Sequence, residues 1–135
     1  MKISDLKAFK QSGEKITCLT AYDASFAKMF DQCSVDVILV GDSLGNVIQG
    51  GENTLGVTME DMIYHTQSVS KSIQDALLIA DMPYQSYDSA EQTLENAQRL
   101  IDAGAQMVKF EGGREHEASF EILQANGVPV CGHLG

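Results

Sequence analysis

The sequence is poor in cysteine, in basic residues and in long apolar runs, and each shortage removes a class of function. Cys18, Cys33 and Cys131 are odd in number and form no Cys-x-x-Cys pair. That argues against a disulfide framework or a zinc site and favours a reducing compartment. Nine Lys and Arg stand against nineteen Asp and Glu, a formal charge of −10. With no basic cluster, no nucleic-acid surface is expected. No apolar stretch approaches the roughly 20 residues that span a bilayer, and the polar segment Met1 to Lys10 has no signal-peptide core. A cytoplasmic chain with no membrane partner is the expectation. Also missing are a Gly-x-Gly-x-x-Gly turn after a strand, a Walker A loop and a Gly-x-Ser-x-Gly elbow.

What is there is ordinary globular material: 135 residues, 44% apolar and 21% charged, enough for one domain with one core. No linker or low-complexity segment divides it, so residues 1–135 are read as a single domain. Ser4 to Gln11 is predicted as a helix opened by Ser4 and stopped near Gly13. Ile16 to Asp23 follows as a strand. Ser25 to Cys33 carries Phe26, Ala27 and Phe30 at helical spacing, which predicts an amphipathic helix. Val35 to Gly41 is a short β-branched run ending in Asp42-Ser43-Leu44-Gly45, the pattern of a strand buried on both faces.

The Gly-rich connection from Asn46 to Val57 is long enough to be functional, and a lid is one common case. Thr58 can cap a helix with Met59, Met62, Ile63, Val69 and Ile73 on one face. Ala76 to Pro83 repeats strand, acid and breaker. Ser89 with Gln92 fits a capping box before a helix striped by Leu94, Ala97, Leu100 and Ile101 and ended by Gly104. Gln106 to Gly113 is a fourth strand, Glu115 to Gln124 a helix, and Gly127 to Gly132 begins a fifth strand. Four βα units and a fifth strand call for a parallel sheet with right-handed crossovers. A strand without its following helix suggests either a small open sheet or the first half of a barrel, whose closure would remove exposed edges.

Asp42, Asp81 and Glu111 each end a predicted strand, where parallel α/β sheets place their chemistry. Neighbouring strands lie about 4.8 Å apart, so the three acids can converge on one rim. Carboxylates that close repel one another unless a cation lies between them. A hard divalent ion, magnesium first, suits an all-oxygen set, and zinc lacks its His and Cys partners. Lys109 is two residues before Glu111 and shares its face, an ammonium placed for a substrate carboxylate or an enolate oxygen. Ser43 adds a hydroxyl beside Asp42. Such a site suits a small 2-oxo acid whose ketone a metal polarises, acidifying the neighbouring C–H. The bland reading is that each acid is a turn former or helix cap, and Asp23 in particular fits a cap. His65 and His116 read as surface or packing residues, while His133 can line the rim.

These residues resemble the ketopantoate hydroxymethyltransferase family. The matching pieces are Thr20-Ala21-Tyr22-Asp23, Val40-Gly41-Asp42-Ser43-Leu44-Gly45, Val57-Thr58 with Tyr64-His65-Thr66, and Ala80-Asp81-Met82-Pro83. They continue through Ala103-Gly104-Ala105, Met107-Val108-Lys109, Glu111-Gly112-Gly113 and Val128 to Gly135. The resemblance implies a (β/α)8 TIM barrel of the phosphoenolpyruvate/pyruvate type, of which this chain is the first half, assembling as a homodecamer. It implies transfer of a hydroxymethyl group from 5,10-methylenetetrahydrofolate to 3-methyl-2-oxobutanoate, giving 2-dehydropantoate on the way to pantothenate. Magnesium would be held by Asp42, Asp81 and Glu111, the last through a water in some cases. The 2-oxo acid would be bound by Asp42, Ser43, Asp81 and Lys109, with enolisation at C3 and attack on the one-carbon unit.

The family's general base is a Glu in the second half of the barrel, beyond Gly135. The 135 residues are therefore expected to be a fragment of a longer enzyme, inactive alone. Alternatives remain a magnesium-dependent 2-oxo acid lyase barrel of the isocitrate lyase type, a receiver-like signalling module, and a half-barrel that pairs with itself.

Overall fold

The computed structural model describes residues 1–134. The element order is α1 (Ile3–Ser12), β1 (Cys18–Thr20), α2 (Ala24–Gln32), β2 (Val37–Val40), α3 (Leu44–Val47), α4 (Met59–Ser70), β3 (Leu77–Asp81), α5 (Ala90–Asp102), β4 (Met107–Glu111), α6 (Glu117–Ala125) and β5 (Val130–His133), with a 3₁₀ turn at Arg114–His116 before α6. The strands form one parallel sheet in the order β1-β2-β3-β4-β5. Each strand pairs with the next in sequence, as in the arc of a βα barrel. A receiver-like module has the order 2-1-3-4-5, and the observed order overturns that alternative.

The period of two along the strands sorts the core. Ile38, Val40, Leu78, Ala80, Val108 and Phe110 are buried on the face covered by the helices, joined by Ala27, Met62, Val69, Ala97, Leu100 and Leu123. The alternate positions Val37, Leu77, Ile79 and Met107 form a second cluster on the opposite face, against Met1, Ile3 and Leu6 at the chain's start. Asp81, Lys109 and Glu111 continue that second set to the carboxyl ends of β3 and β4, so the alternation that builds the core also aims them.

Helix starts follow local chemistry. Asp23 caps α2, accepting from the N–H groups of Ser25 (2.7 Å) and Phe26 (3.0 Å). Thr58 and Asp61 form a reciprocal capping box at α4. Ser89 caps α5 through Gln92 N–H. The Gln92 side chain, however, reaches past Ser89 to accept from Asp88 N–H at 2.9 Å, so the expected box is shifted by one residue. Ser4 lies inside α1, not at its cap, because Asp5 accepts from Lys2 N–H (2.7 Å) and starts the helix earlier. Gly13 ends it in the left-handed region, at φ 76°.

Three further expectations need correction. β1 is only three residues, all exposed, because it has one neighbour and Thr17 is taken up by the Asp36 carboxylate instead of a longer ladder. Phe26 does not face the core. It is 55% exposed, and Ala27 is the buried residue of α2. The Gly-rich connection is not loop from its start, since Leu44–Val47 makes a helical turn that buries Leu44 and Gly45.

Candidate functional site

The carboxyl ends of β2, β3 and β4 meet at Asp81. Its backbone is the last position of β3, paired in register with Lys109 of β4. Register partners on one face bring side chains together, and here Lys109 Nζ lies 2.5 Å from Asp81 Oδ1. The other carboxylate oxygen, Oδ2, accepts from the Asp42 backbone N–H at 3.1 Å. Asp81 is therefore gripped from both neighbouring strands while only 4% exposed. Burial pushes its carboxyl above the usual carboxylate range, and the nearby Asp42 charge adds to that. The Lys109 ammonium and the Asp42 N–H pull the other way without cancelling it.

The turn after β2 is shaped by Gly41. A Cβ there would stand 2.9 Å from Ser43 Oγ and 3.3 Å from Asp81 Oδ2. With glycine there, the Ser43 hydroxyl and the Asp81 carboxylate both border the space that a side chain would fill. Gly45 permits a second close approach, since a Cβ would lie 2.8 Å from Val57 and 3.1 Å from the Asn53 carbonyl. That contact folds the start of the long connection back toward α4.

Glu111 is placed differently. Its side chain is 58% exposed and lies 3.3 Å from His133 Nδ1, its register partner on β5. Among the described residues no three His, Cys, Asp or Glu side chains gather closely enough to hold a metal ion. The expected rim acids thus divide into a pair, Asp42 and Asp81, and an outlying Glu111. They still share one neighbour. Burial pushes the Tyr87 phenol up, and the charges of Glu111, Asp42 and Asp81 push the same way. The Tyr87 ring lies tilted against Phe110, with centroids 5.2 Å apart, and meets His116 edge to face at 5.1 Å.

The donor set is all oxygen. Magnesium binds through one or two carboxylates and leaves its other positions to water and substrate. A paired Asp42 and Asp81 beside Gly41 fits that pattern, whereas zinc would want nitrogen or sulfur.

Sequence reasoning placed Asp42, Ser43, Asp81 and Lys109 near one another at the strand ends, where the structure also has them. It missed Tyr87, because the β3–α5 connection carries no motif. It also missed two contacts of Tyr22, whose hydroxyl lies 2.6 Å from Ser43 Oγ and whose carbonyl accepts from His65 Nδ1 at 2.6 Å. Of the two readings of His65, surface or packing, the structure shows packing, against Tyr22.

Comparison with solved structures gives the fold. Phosphonopyruvate hydrolase, in a complex with oxalate and Mg++, matches with a TM-score of 0.76 at 16% identity, over 93% of this chain and 48% of that one. A 2,3-dimethylmalate lyase of the PEP mutase/isocitrate lyase superfamily matches with a TM-score of 0.69 at 14% identity, over 96% of this chain and 52% of that one. The five-stranded arc thus has the fold of a partial barrel. Curated relatives are far closer in sequence. The 3-methyl-2-oxobutanoate hydroxymethyltransferase of Ruthia magnifica subsp. Calyptogena magnifica is 72% identical over 135 residues, and that of Vesicomyosocius okutanii subsp. Calyptogena okutanii (strain HA) is 74% identical over 135 residues. Both alignments take in 100% of this chain and 52% of the relative, so the chain spans about half the length of the curated proteins it matches. The family model for ketopantoate hydroxymethyltransferase matches residues 1–135. A match along every residue leaves no part of the chain outside that description, and the chain belongs to the ketopantoate hydroxymethyltransferase family.

Proposed function

We propose that the whole protein transfers a hydroxymethyl group from 5,10-methylenetetrahydrofolate to 3-methyl-2-oxobutanoate, forming 2-dehydropantoate. The observation that carries this reading is the buried Asp81–Lys109 pair beside Asp42 and Ser43, at the strand ends of a chain in this family. Asp42 and Asp81 would hold a magnesium ion, with Glu111 completing the site from the tip of β4. That ion would supply Lewis-acid polarisation of the ketone, which makes the C3 hydrogen easier to remove.

The chain's own residues would do the rest. Lys109 would stabilise the negative charge that grows on the keto oxygen, and its link to Asp81 fixes where its ammonium stands. Ser43 would hold the carboxylate of the oxo acid. Tyr87 and the walls around Asp81 would limit water at the reacting carbon. The proton acceptor is expected from a Glu in the barrel's second half. The resulting enolate would then attack the one-carbon unit of the folate.

The three cysteines are free, which supports a reducing compartment such as the cytoplasm. Among the described residues no helix is long and apolar enough to cross a membrane. A homo-oligomer is the expected assembly. Exposed Phe26, Met29 and Tyr64 on the outer helices support it as sites for subunit contact.

The test is hydrogen exchange at C3 of 3-methyl-2-oxobutanoate in deuterated water, which requires no folate. The reading expects exchange by the full-length protein that depends on magnesium and is lost in Asp81→Asn. Exchange that continues unchanged in Asp81→Asn would overturn it. The lyase alternative is tested by giving the same protein a branched malate, whose C–C cleavage would appear as new 2-oxo acid and carboxylate.

A further inference from the structure

Tyr22 sits just past β1, held by everything around it. The preceding residue, Ala21, donates its N–H to the Leu39 carbonyl at 3.1 Å. The following residue, Asp23, is the cap of α2. The Tyr22 carbonyl accepts from His65 Nδ1 at 2.6 Å, and the two rings meet edge to face with centroids 6.4 Å apart. A residue fixed in this way presents its phenol at one place. That place is 2.6 Å from Ser43 Oγ.

Two hydroxyls in contact carry two hydrogens, and the contact uses one. A phenol is more acidic than an aliphatic alcohol and is the better donor, so Tyr22 donates and Ser43 accepts. The Ser43 hydrogen is then free for something else. Ser43 Oγ borders the space over Gly41 that a Cβ would fill, 2.9 Å from that position, and Asp81 Oδ2 borders it at 3.3 Å. A serine whose acceptor side is taken by a phenol keeps its own hydrogen to donate, and at the strand ends beside Asp81 and Lys109 an anionic ligand would take it.

We propose that Tyr22 is a positioning residue of the oxo-acid site, whose phenol fixes the Ser43 hydroxyl as a hydrogen-bond donor to the carboxylate of the ligand. The role rests on the reading of the site as a 2-oxo acid site. His65 serves it at one remove, by bracing the Tyr22 backbone.

A double-mutant cycle in the full-length protein tests it. Calorimetric titration with 3-methyl-2-oxobutanoate in excess magnesium reads the affinity. Tyr22→Phe keeps the ring and its packing, and is expected to weaken binding about tenfold, the scale of one hydrogen bond to a charged group. In a Ser43→Ala background the same change is expected to weaken binding less than about twofold. His65→Ala, which keeps the phenol but removes its brace, should follow the same dependence on Ser43. Equal penalties with and without the Ser43 hydroxyl would mark Tyr22 as merely structural and overturn the proposal, as would full affinity in Tyr22→Phe. Failure of the unmodified protein to bind the oxo acid would instead sink the reading of the site, and the positioning role with it.

Discussion

The two ends of the sheet use carboxylates in opposite ways. At the amino end, Asp31 accepts from three successive backbone N–H groups, those of Gln74 (2.9 Å), Asp75 (3.0 Å) and Ala76 (2.7 Å), just ahead of β3. Partial burial pushes its carboxyl up, but the three amides together outweigh that and hold it below the usual range. Asp36, ahead of β2, is likewise held low by the Thr17 N–H and hydroxyl. At the carboxyl end, Asp81 is more deeply buried, has one amide and one ammonium, and is held high. A carboxylate saturated by backbone amides is finished structure. One kept buried with a single amide and a single ammonium has bonding capacity left for a ligand. This matches the division of a βα barrel into a stabilising face and a catalytic face.

The largest stability effect that separates the two ends is expected from Lys109→Met. It leaves Asp81 buried without its charge partner, a loss of about 3–5 kcal/mol when a buried pair is broken from one side. Urea unfolding near pH 7 measures it, and Asp81→Asn in the same chain should restore part of the loss. A penalty below about 1 kcal/mol would mean that the pair behaves as a surface ion pair.

Asp31→Asn comes next. Losing the charge behind three amide contacts should cost about 1–2 kcal/mol and leave oxo-acid affinity unchanged. Its pH dependence has a definite sign. Asp31 is held low, so the stability it adds is present above the ordinary carboxylate range near pH 4 and is lost as pH falls through its lowered value. Asp81 is held high and acts in reverse: protonation favours the fold, and that contribution fades as pH rises through its raised value. Asp31→Asn should therefore flatten the acid limb of the stability curve, and an unchanged acid limb would contradict the assignment.

The smallest effect is expected at the cap of α4. Thr58→Ala removes one half of its capping box and should cost about 1 kcal/mol, read as a shift in the unfolding midpoint with the site intact. A tenfold loss of oxo-acid binding in this variant would mean that the cap belongs to the site.

The elements that position the site were legible because their signals are local. Strand ends near Asp42, Asp81 and Glu111 and the caps at Asp23 and Thr58 follow from period and spacing, whereas Lys109, expected beside Glu111 and a substrate, is paired with Asp81 across the register. What was hidden is what depends on register and distance in sequence. Glu111 faces His133 because β4 and β5 pair one way and not another. Tyr22 finds Ser43 across 21 residues, and neither side chain announces the other. Phe26 was misplaced because helical spacing identifies an apolar stripe without saying that a smaller residue, Ala27, will be the one against the sheet. The turn at Leu44–Val47 was missed because its glycine and asparagine read as loop.

The central claim is that the carboxyl end binds and the amino end only holds. Calorimetric titration of 3-methyl-2-oxobutanoate into the full-length protein and its Asp81→Asn and Asp31→Asn variants, with and without magnesium, tests it most directly. The expected result is magnesium-dependent binding in the unmodified protein and in Asp31→Asn, and none in Asp81→Asn. Retained affinity in a folded Asp81→Asn variant, or equal loss in a folded Asp31→Asn variant, would contradict it.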